Sequence, residues 1–307
     1  MRLAILSRNE ALYSTRRLME ESRAKGWETH VYDYLKFTVE IMKDELFINH
    51  EGSKIPKPDA IIPRIGASRT FFGAAMVRHF EMLDTFCANG SLAISRSRDK
   101  LRALQILSKR GIDMPKTVFA SNQSDPKDVI KLIGGTPFII KILEGTQGVG
   151  VVLAETQKAA KSVLDAFYGM DVNLLVQEYI EEAAGTDIRA FVVGGEVVGA
   201  MRRKGAEGDF RSNLHQGGFA EAIKLNRAEK AIALSAAKAM GLDICGVDMI
   251  PSKRGPLVME VNSSPGLEGI EAATGVNVAG KIMDFIESSL HLTPKPKKRK
   301  PRDIIGA

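Results

Sequence analysis

The sequence predicts a mixed α/β and α+β protein with three folded units and a charged tail, and three observations carry this. Apolar, strand-like runs alternate with helical stretches over residues 1–95, as in an open, mostly parallel sheet. A shorter alternation covers residues 96–180. From 181 to 292 the strands come in adjacent pairs joined by turn signals, with helices set against them, and 293–307 carries no such pattern. At 307 residues the chain is long enough for about two domains, the second here divided into two subunits of fold.

The first unit opens with strand 2–7, a helix near 14–25 stopped by Gly26, and strand 29–34. A short hairpin around 47–54 precedes the buried strand Ala60-Ile-Ile-Pro63, which ends in Arg64-Ile-Gly66, and a helix covers 71–86. In the second unit Ser97 is placed to N-cap a helix running to Arg110, with Leu101, Leu104 and Leu107 on its buried side and Gly111 ending it. Strand 117–120, helix 125–133 and the apolar strand 137–143 follow. The glycine-rich stretch 144–150 then leads directly into strand 151–154, with helix 157–167 and strand 174–180 completing the unit. In the third, strands 188–193 and 197–203 are joined by Gly194-Gly195, a strong hairpin signal. A polar loop over 207–218, an alanine-rich helix over 227–240, strands 246–250 and 257–262, and a last helix near 276–289 complete the chain.

Composition is that of a globular protein, 44% hydrophobic and 26% charged. The net charge of +6 sits mostly in the tail, where Lys295, Lys297, Lys298, Arg299, Lys300 and Arg302 face only Asp303. The body is close to neutral, so no basic face for nucleic acid is expected on it. Two cysteines, Cys87 and Cys245, stand in unrelated contexts, which excludes a disulfide framework and fits a reducing compartment. No apolar run reaches the ~18 residues a membrane span needs, and no signal peptide precedes the first strand. A soluble, cytoplasmic protein is expected.

The chemistry concentrates on the last two strands. Along 257–262, Val258, Glu260 and Asn262 share one face, and a turn centred near Arg254 sets Asp248 opposite Glu260 within a residue. Three hard oxygen donors on one hairpin, with no histidine or cysteine, suit Mg²⁺ or Mn²⁺ rather than zinc. Spacing alone equally allows a solvated polar face with a cross-strand hydrogen bond. Lys141 is the lone cation in an apolar strand and must snorkel or meet an anion. Just beyond it Gly145, Gly148 and Gly150 permit a loop whose amides close over phosphate, although an ordinary turn has the same composition.

These glycines join strand to strand, so they are not a P-loop. Gly275–Lys281 mimics one but puts Ile282 where a hydroxyl must reach the metal, and no Gly-x-Gly-x-x-Gly follows the first strand. Ser-x-x-Lys occurs three times, which marks chance. Gln177 and Glu178 end an apolar strand and suit an adenine edge, or simply an exposed strand end. Asp187 and Arg189 share a face, and hairpin pairing puts Arg202 near Asp187, a surface ion pair in the plainest interpretation. Arg211, Ser212 and Asn213 lie in a donor-rich loop, and His215 beside them is a local hydrogen-bonding residue.

Together these residues resemble the ATP-grasp superfamily, and more closely its RimK family of glutamate ligases. The similarity runs through Pro63-Arg-Ile-Gly66, Ser97-Arg-Asp-Lys100, Lys141 with the glycine stretch to Gly150, Gln177-Glu-Tyr-Ile180 and Asp187-Ile-Arg189. It continues through Gly208-Asp-Phe-Arg-Ser-Asn-Leu-His215, Gly246-Val-Asp248 and the long run from Met259 to Ile270. Ser263 stands where alanine is expected, and the tail after Pro294 has no counterpart.

The resemblance implies an ATP-grasp fold: an N-terminal pre-ATP-grasp domain over 1–95 and two grasping subdomains over 96–180 and 181–292, with ATP between them. It implies Lys100 and Lys141 at the phosphates and base, Gln177, Glu178 and Tyr179 at adenine, and Asp187 near the ribose. Arg211, Ser212 and Asn213 would serve the terminal phosphate, with Arg211, Asn213 and Lys141 as the catalytic residues. Asp248, Glu260 and Asn262 would bind two Mg²⁺ or Mn²⁺ ions. The reaction implied joins L-glutamate, through an acyl phosphate, to the C-terminus of the small-subunit ribosomal protein S-six, with Arg64 and Arg202 or Arg203 gripping substrate carboxylates. A homo-oligomer is expected, and the tail is expected to touch RNA. Two alternatives stand beside this: glutamate addition to a pterin or deazaflavin coenzyme or an amino-group carrier protein, and a catalytically silent nucleotide-binding protein docked on ribosomes.

Overall fold

The structure is a computed structural model that describes residues 1–142, 150–170, 172–206 and 218–292. Strands β1 (Arg2–Leu6), β2 (Glu28–Tyr32), β6 (Ala60–Pro63) and β7 (Phe86–Cys87) form a parallel sheet in the order β2-β1-β6-β7. Helices α1 (Tyr13–Ala24) and α2 (Thr70–Met82) connect it. Strands β1 and β6 are apolar and buried almost throughout because both faces of a parallel sheet are covered. Where a single hairpin was expected, β3 (Phe37–Met42), β4 (Glu45–His50) and β5 (Ser53–Lys54) form a three-stranded antiparallel meander.

The helix expected from Ser97 to Arg110 is two helices, α3 (Ser91–Arg98) and α4 (Lys100–Lys109). The break is at Asp99, whose carboxylate accepts the Arg102 amide at 3.0 Å and so caps α4 in place of Ser97. Ser97 instead ends α3, its hydroxyl donating to the Ile94 carbonyl. Next come β8 (Thr117–Ala120), α5 (Pro126–Ile133), β9 (Phe138–Ile142), β10 (Val151–Ala154), α6 (Gln157–Tyr168) and β11 (Leu174–Glu178). The strands pair antiparallel as β10-β9-β11-β8, and their core, with Phe138, Ile140, Leu164 and Val176, is closed by α5 and α6 alone.

The remaining strands are β12 (Thr186–Val193), β13 (Glu196–Lys204), β14 (Phe219–Ala222), β15 (Ile244–Ile250) and β16 (Leu257–Asn262). They form an antiparallel sheet in the order β14-β13-β12-β15-β16. Gly194 and Gly195 turn β12 into β13 with φ of +58° and +81°, the left-handed pair a two-residue hairpin requires. Helix α7 (Arg227–Met240), opened by a capping box of Asn226 and Glu229, packs on one face of this sheet. Helices α8 (Glu268–Thr274) and α9 (Val278–Leu292) pack on the other; α8 lies between strand 257–262 and the last helix, where no element was expected.

The cores show how the pieces are joined. Leu3, Ile5 and Ile62 of the first sheet and Leu18 of α1 share one core with Phe191, Ile270, Val278 and Met283. Ala103 and Leu107 of α4 pack with Ala233, Met240 and Val247. The N-terminal sheet and the C-terminal sheet are thus bonded through continuous apolar packing, whereas the β8–β11 sheet keeps a core of its own. No helix among the described residues is long and apolar enough to cross a membrane.

Candidate active site

The hairpin β15–β16 pairs Asp248 with Glu260 and Gly246 with Asn262, the register expected from the turn near Arg254. Beyond Asp248 the register shifts by one residue, so Met259 is extra and the strand twists locally. A Cβ on Gly246 would come 3.1 Å from Pro265 Cβ and 3.5 Å from Arg189 Nε, so glycine there lets the strand lie under both.

Asp248 is buried and accepts three hydrogen bonds. Arg189 Nε and Nη2 donate to its two oxygens at 2.7 and 2.6 Å, and Arg203 Nη2 adds a bond at 2.9 Å. Arg203 at the same time holds Asp187 through Nε at 2.7 Å and Nη2 at 2.6 Å. Burial alone would raise the Asp248 carboxyl, but Arg189 and Arg203 outweigh it and hold it at about 2. Asp187 therefore pairs with Arg203 and not with Arg202, which points away to exposed Glu221 at 2.8 Å. A register shift between Phe191 and Val192 explains the difference: Phe191 faces Gly199 and Val192 faces Val197, so Val198 is an extra residue that moves every later partner by one.

Glu260, directly across from Asp248, makes no hydrogen bond among the described residues. Its side chain is exposed. Surrounding protein mass and then the Asp248 charge raise its carboxyl above the usual range, against the pull of Arg189, Lys141 and Arg203. Asn262 Oδ1 accepts one bond, from the Ser264 amide at 3.0 Å, and retains a second lone pair. A carboxylate with no hydrogen bond among the described residues, beside a second one and with an amide oxygen on the same hairpin, is a donor set that fits a hard divalent cation. Among the described residues no group of three or more His, Cys, Asp or Glu side chains forms a metal cluster, so two acids and an amide are the whole set there.

From the other sheet comes Lys141 on β9. Its Nζ donates to Gln177 Oε1 at 2.6 Å, and Gln177 Nε2 donates to Thr117 Oγ1 at 3.0 Å. Burial pushes the Lys141 ammonium down to about 8, with Glu260 raising it and Lys100 lowering it further. Lys100, at the start of α4, reaches the Ile142 carbonyl at 3.4 Å and is likewise lowered by burial while Glu260 supports its charge. Lys141 of the β8–β11 sheet, Lys100 of α4 and Glu260 of the C-terminal sheet thus act on one another.

Glu178 accepts the Lys116 amide at 3.1 Å and Arg254 Nη2 at 2.7 Å, tying β11 to the β15–β16 turn. Tyr179, partly buried, follows directly. Gly150 has φ +75°, and a Cβ there would sit 2.9 Å from Ile142 Cδ1, so glycine is required where the chain re-enters β10. Gly145, Gly148, Arg211, Ser212, Asn213 and the 293–307 tail lie outside the described residues.

The N-terminal sheet contributes Arg64, immediately after β6, whose Nη1 donates to the Pro265 carbonyl at 2.8 Å. Two residues at the site were not singled out from the sequence. Arg98, inside the Ser97-Arg-Asp-Lys100 motif, donates through Nη2 to the Ile65 carbonyl at 2.8 Å. Asn89, which is buried, donates to the Ile244 and Ser263 carbonyls at 2.7 and 2.9 Å and accepts the Asp243 and Ile244 amides at 3.0 Å each. The Arg98 signal was present in the motif; Asn89 lies in an unremarkable Ala-Asn-Gly and had none.

Two antiparallel sheets that bring charge-bearing strands, β9 with Lys141 and β16 with Glu260, to one another form the arrangement of an ATP-grasp protein. The ATP-grasp ligase PsnB, solved with a minimal precursor, has the same fold, with a TM-score of 0.74 at 22% identity over 94% of this chain and 97% of that one. Residues 97–286 match the RimK-like ATP-grasp domain and residues 1–94 the RimK pre-ATP-grasp domain. A probable alpha-L-glutamate ligase of Shewanella loihica is 60% identical over 94% of this chain and 95% of its own. Another, of Vibrio parahaemolyticus, is 57% identical over 98% and 99%. The chain belongs to the RimK family.

Proposed function

We propose that this protein joins L-glutamate to a C-terminal carboxylate, that of the small-subunit ribosomal protein S-six, using ATP. The observation that carries it is the meeting of Lys141 of the β8–β11 sheet and Lys100 of α4 with the Asp248–Glu260 hairpin, where Arg64 enters from the N-terminal sheet. The names of its 57–60% identical relatives support glutamate as the donor.

In this mechanism Asp248, Glu260 and Asn262 would hold two Mg²⁺ or Mn²⁺ ions, which supply charge neutralisation for the triphosphate. Lys141 and Lys100 attract the phosphates, and Gln177 fixes the Lys141 ammonium so that no reorganisation is needed on binding. Glu178 and Tyr179 border adenine and Asp187 the ribose, while Arg211, Ser212 and Asn213 serve the terminal phosphate. An oxygen of the acceptor carboxylate attacks the terminal phosphorus and the bond to ADP breaks, giving an acyl phosphate. The glutamate amine then attacks the acyl carbon, phosphate leaves with the bonding pair, and the new amide nitrogen loses a proton. No protein nucleophile is needed; positioning and charge carry the rate.

Incubation with ATP, Mg²⁺, L-glutamate and candidate acceptors, followed by mass spectrometry, tests this. A ladder in glutamate steps on the ribosomal protein, with ADP release dependent on both substrates, is the expected result. Glutamate addition to a coenzyme or carrier protein alone would replace the acceptor, and ADP release indifferent to both substrates would remove the ligase mechanism.

A further inference from the structure

The half-buried arginines around the site are of two kinds. Arg189 and Arg203 each meet a carboxylate through paired bonds. Arg64 and Arg98 meet none among the described residues. A guanidinium carries five N–H donors. Arg64 spends one on Pro265, Arg98 one on Ile65, and the Arg98 Nε is buried with no acceptor among the described residues. The two are neighbours: Arg98 bonds the carbonyl of the residue after Arg64, and their charges oppose each other.

Placing two like charges together out of water is costly unless an anion joins them. Burial, and then Arg98, push Arg64 down to about 10, while burial lowers Arg98 with Glu260 in partial support. Their location points the same way. In the sheet order β2-β1-β6-β7 the chain moves outward from β1 in opposite directions, so the crevice beyond the carboxyl ends of β1 and β6 is a topological switch point, where open α/β sheets take ligands. Arg64 is the first residue beyond β6, and its bond to Pro265 brings the loop after β16, and with it Asn262, to the same crevice. The planar fork of a guanidinium matches a carboxylate with two parallel bonds, and the ATP phosphates have their own cations in Lys100 and Lys141 on the other side.

We propose that Arg64 and Arg98 form a carboxylate-binding pair that holds a non-reacting carboxylate of the substrate, and that Arg98, not Arg202, is the partner of Arg64. The assignment rests on the ligase function above. The carboxylate belongs either to the incoming glutamate or to the side chain of an acceptor's terminal glutamyl residue.

The experiment compares wild type with Arg98→Gln, Arg98→Lys and Arg64→Gln. Steady-state ligation gives KM for L-glutamate and for a peptide ending in glutamate, and calorimetry with ADP–Mg²⁺ present measures binding of glutarate and of that peptide without turnover. Arg98→Gln is expected to raise one KM about tenfold or more, to weaken the matching probe equally, and to leave ADP affinity unchanged, with Arg98→Lys restoring part of the loss. A raised glutamate KM assigns the donor carboxylate and a raised peptide KM the acceptor's. Should Arg64→Gln fail to fold because Pro265 loses its donor, Arg98→Gln alone decides. Probe affinities and both KM values within twofold of wild type in Arg98→Gln would overturn the pair. If wild type binds a probe through Arg98 yet makes no amide, the ligase function falls and the carboxylate site stands.

Discussion

Asp248 and Glu260 face each other across paired strands, yet one is buried and locked between two guanidiniums while the other makes no hydrogen bond among the described residues. Two carboxylates of one hairpin therefore do different work. Removing Asp248 strands Arg189 and Arg203 without their shared counter-ion, whereas removing Glu260 breaks no hydrogen bond among the described residues. Asp248→Ala is expected to cost about 3–5 kcal/mol of stability. Glu260→Ala is expected to stay within about 0.5 kcal/mol and to abolish ligation. Urea denaturation of both variants, beside an ADP-release assay, checks this; equal destabilisation by the two would show that Glu260 is structural.

Arg202 and Arg203 separate in the same way. Arg203 bridges Asp187 and Asp248 inside the protein, and Arg202 forms an exposed pair with Glu221. Arg202→Gln is expected to change stability by less than about 1 kcal/mol and to leave both substrate KM values unaltered. Arg203→Gln, which leaves two buried carboxylates sharing one fewer cation, is expected to cost about 3 kcal/mol or more and to weaken nucleotide binding through Asp187. A raised KM in Arg202→Gln would return that residue to the substrate.

Lys141 predicts a trade between stability and binding. Its ammonium sits near 8 in the fold against an ordinary 10.5, so the native state holds that proton less firmly than the unfolded chain. The charge therefore costs stability below about 8, and the cost fades as pH rises from about 8 towards 10.5. Lys141→Met is expected to raise the melting temperature of the nucleotide-free protein at pH 7, with the gain gone by pH 10.5. ATP affinity is expected to fall about tenfold or more with the charge. Melting curves at three pH values and a nucleotide titration measure both; a lower melting temperature at pH 7 would show that the Gln177 bond outweighs burial.

How much of this was legible depended on whether the signal was local. The pairing of Asp248 with Glu260 follows from strand alternation and a short turn, and the sequence contains both. Lys141 stands out because it is the one charge in an apolar strand. The partner of Asp187 was displaced from Arg202 to Arg203 by the bulge at Val198, a single residue that no composition rule marks among valines and glycines. Asp99 broke the expected helix because aspartate caps as well as serine and lay two residues later. Contacts between units had no sequence signal at all. The bond from Arg64 to Pro265 spans 201 residues, and the Asn89 bonds to Ile244 and Ser263 span 155 and 174.

Asn89 carries the last prediction, because it is the polar staple between the end of the N-terminal sheet and the hairpin. All its hydrogen bonds go to backbone: two amides and a carbonyl where β15 begins, and the Ser263 carbonyl just past Asn262. Both ends of the amide are used, so neither aspartate, which cannot donate, nor leucine, which can do neither, replaces it. Asn89→Leu leaves buried backbone groups unsatisfied and is expected to cost about 2–4 kcal/mol. Asn89→Asp keeps the two amide bonds but sets a carboxylate against the Ile244 and Ser263 carbonyls, and it is expected to destabilise as much. The bond to Ser263 fixes the residue beside Asn262, so the damage should reach the cation site before the fold melts. Below its unfolding temperature Asn89→Asp is expected to need about tenfold more Mn²⁺ for half-maximal ATP-analogue binding, read by the paramagnetic broadening of the bound ion. An unchanged Mn²⁺ requirement in a folded Asn89→Asp protein would confine Asn89 to stability.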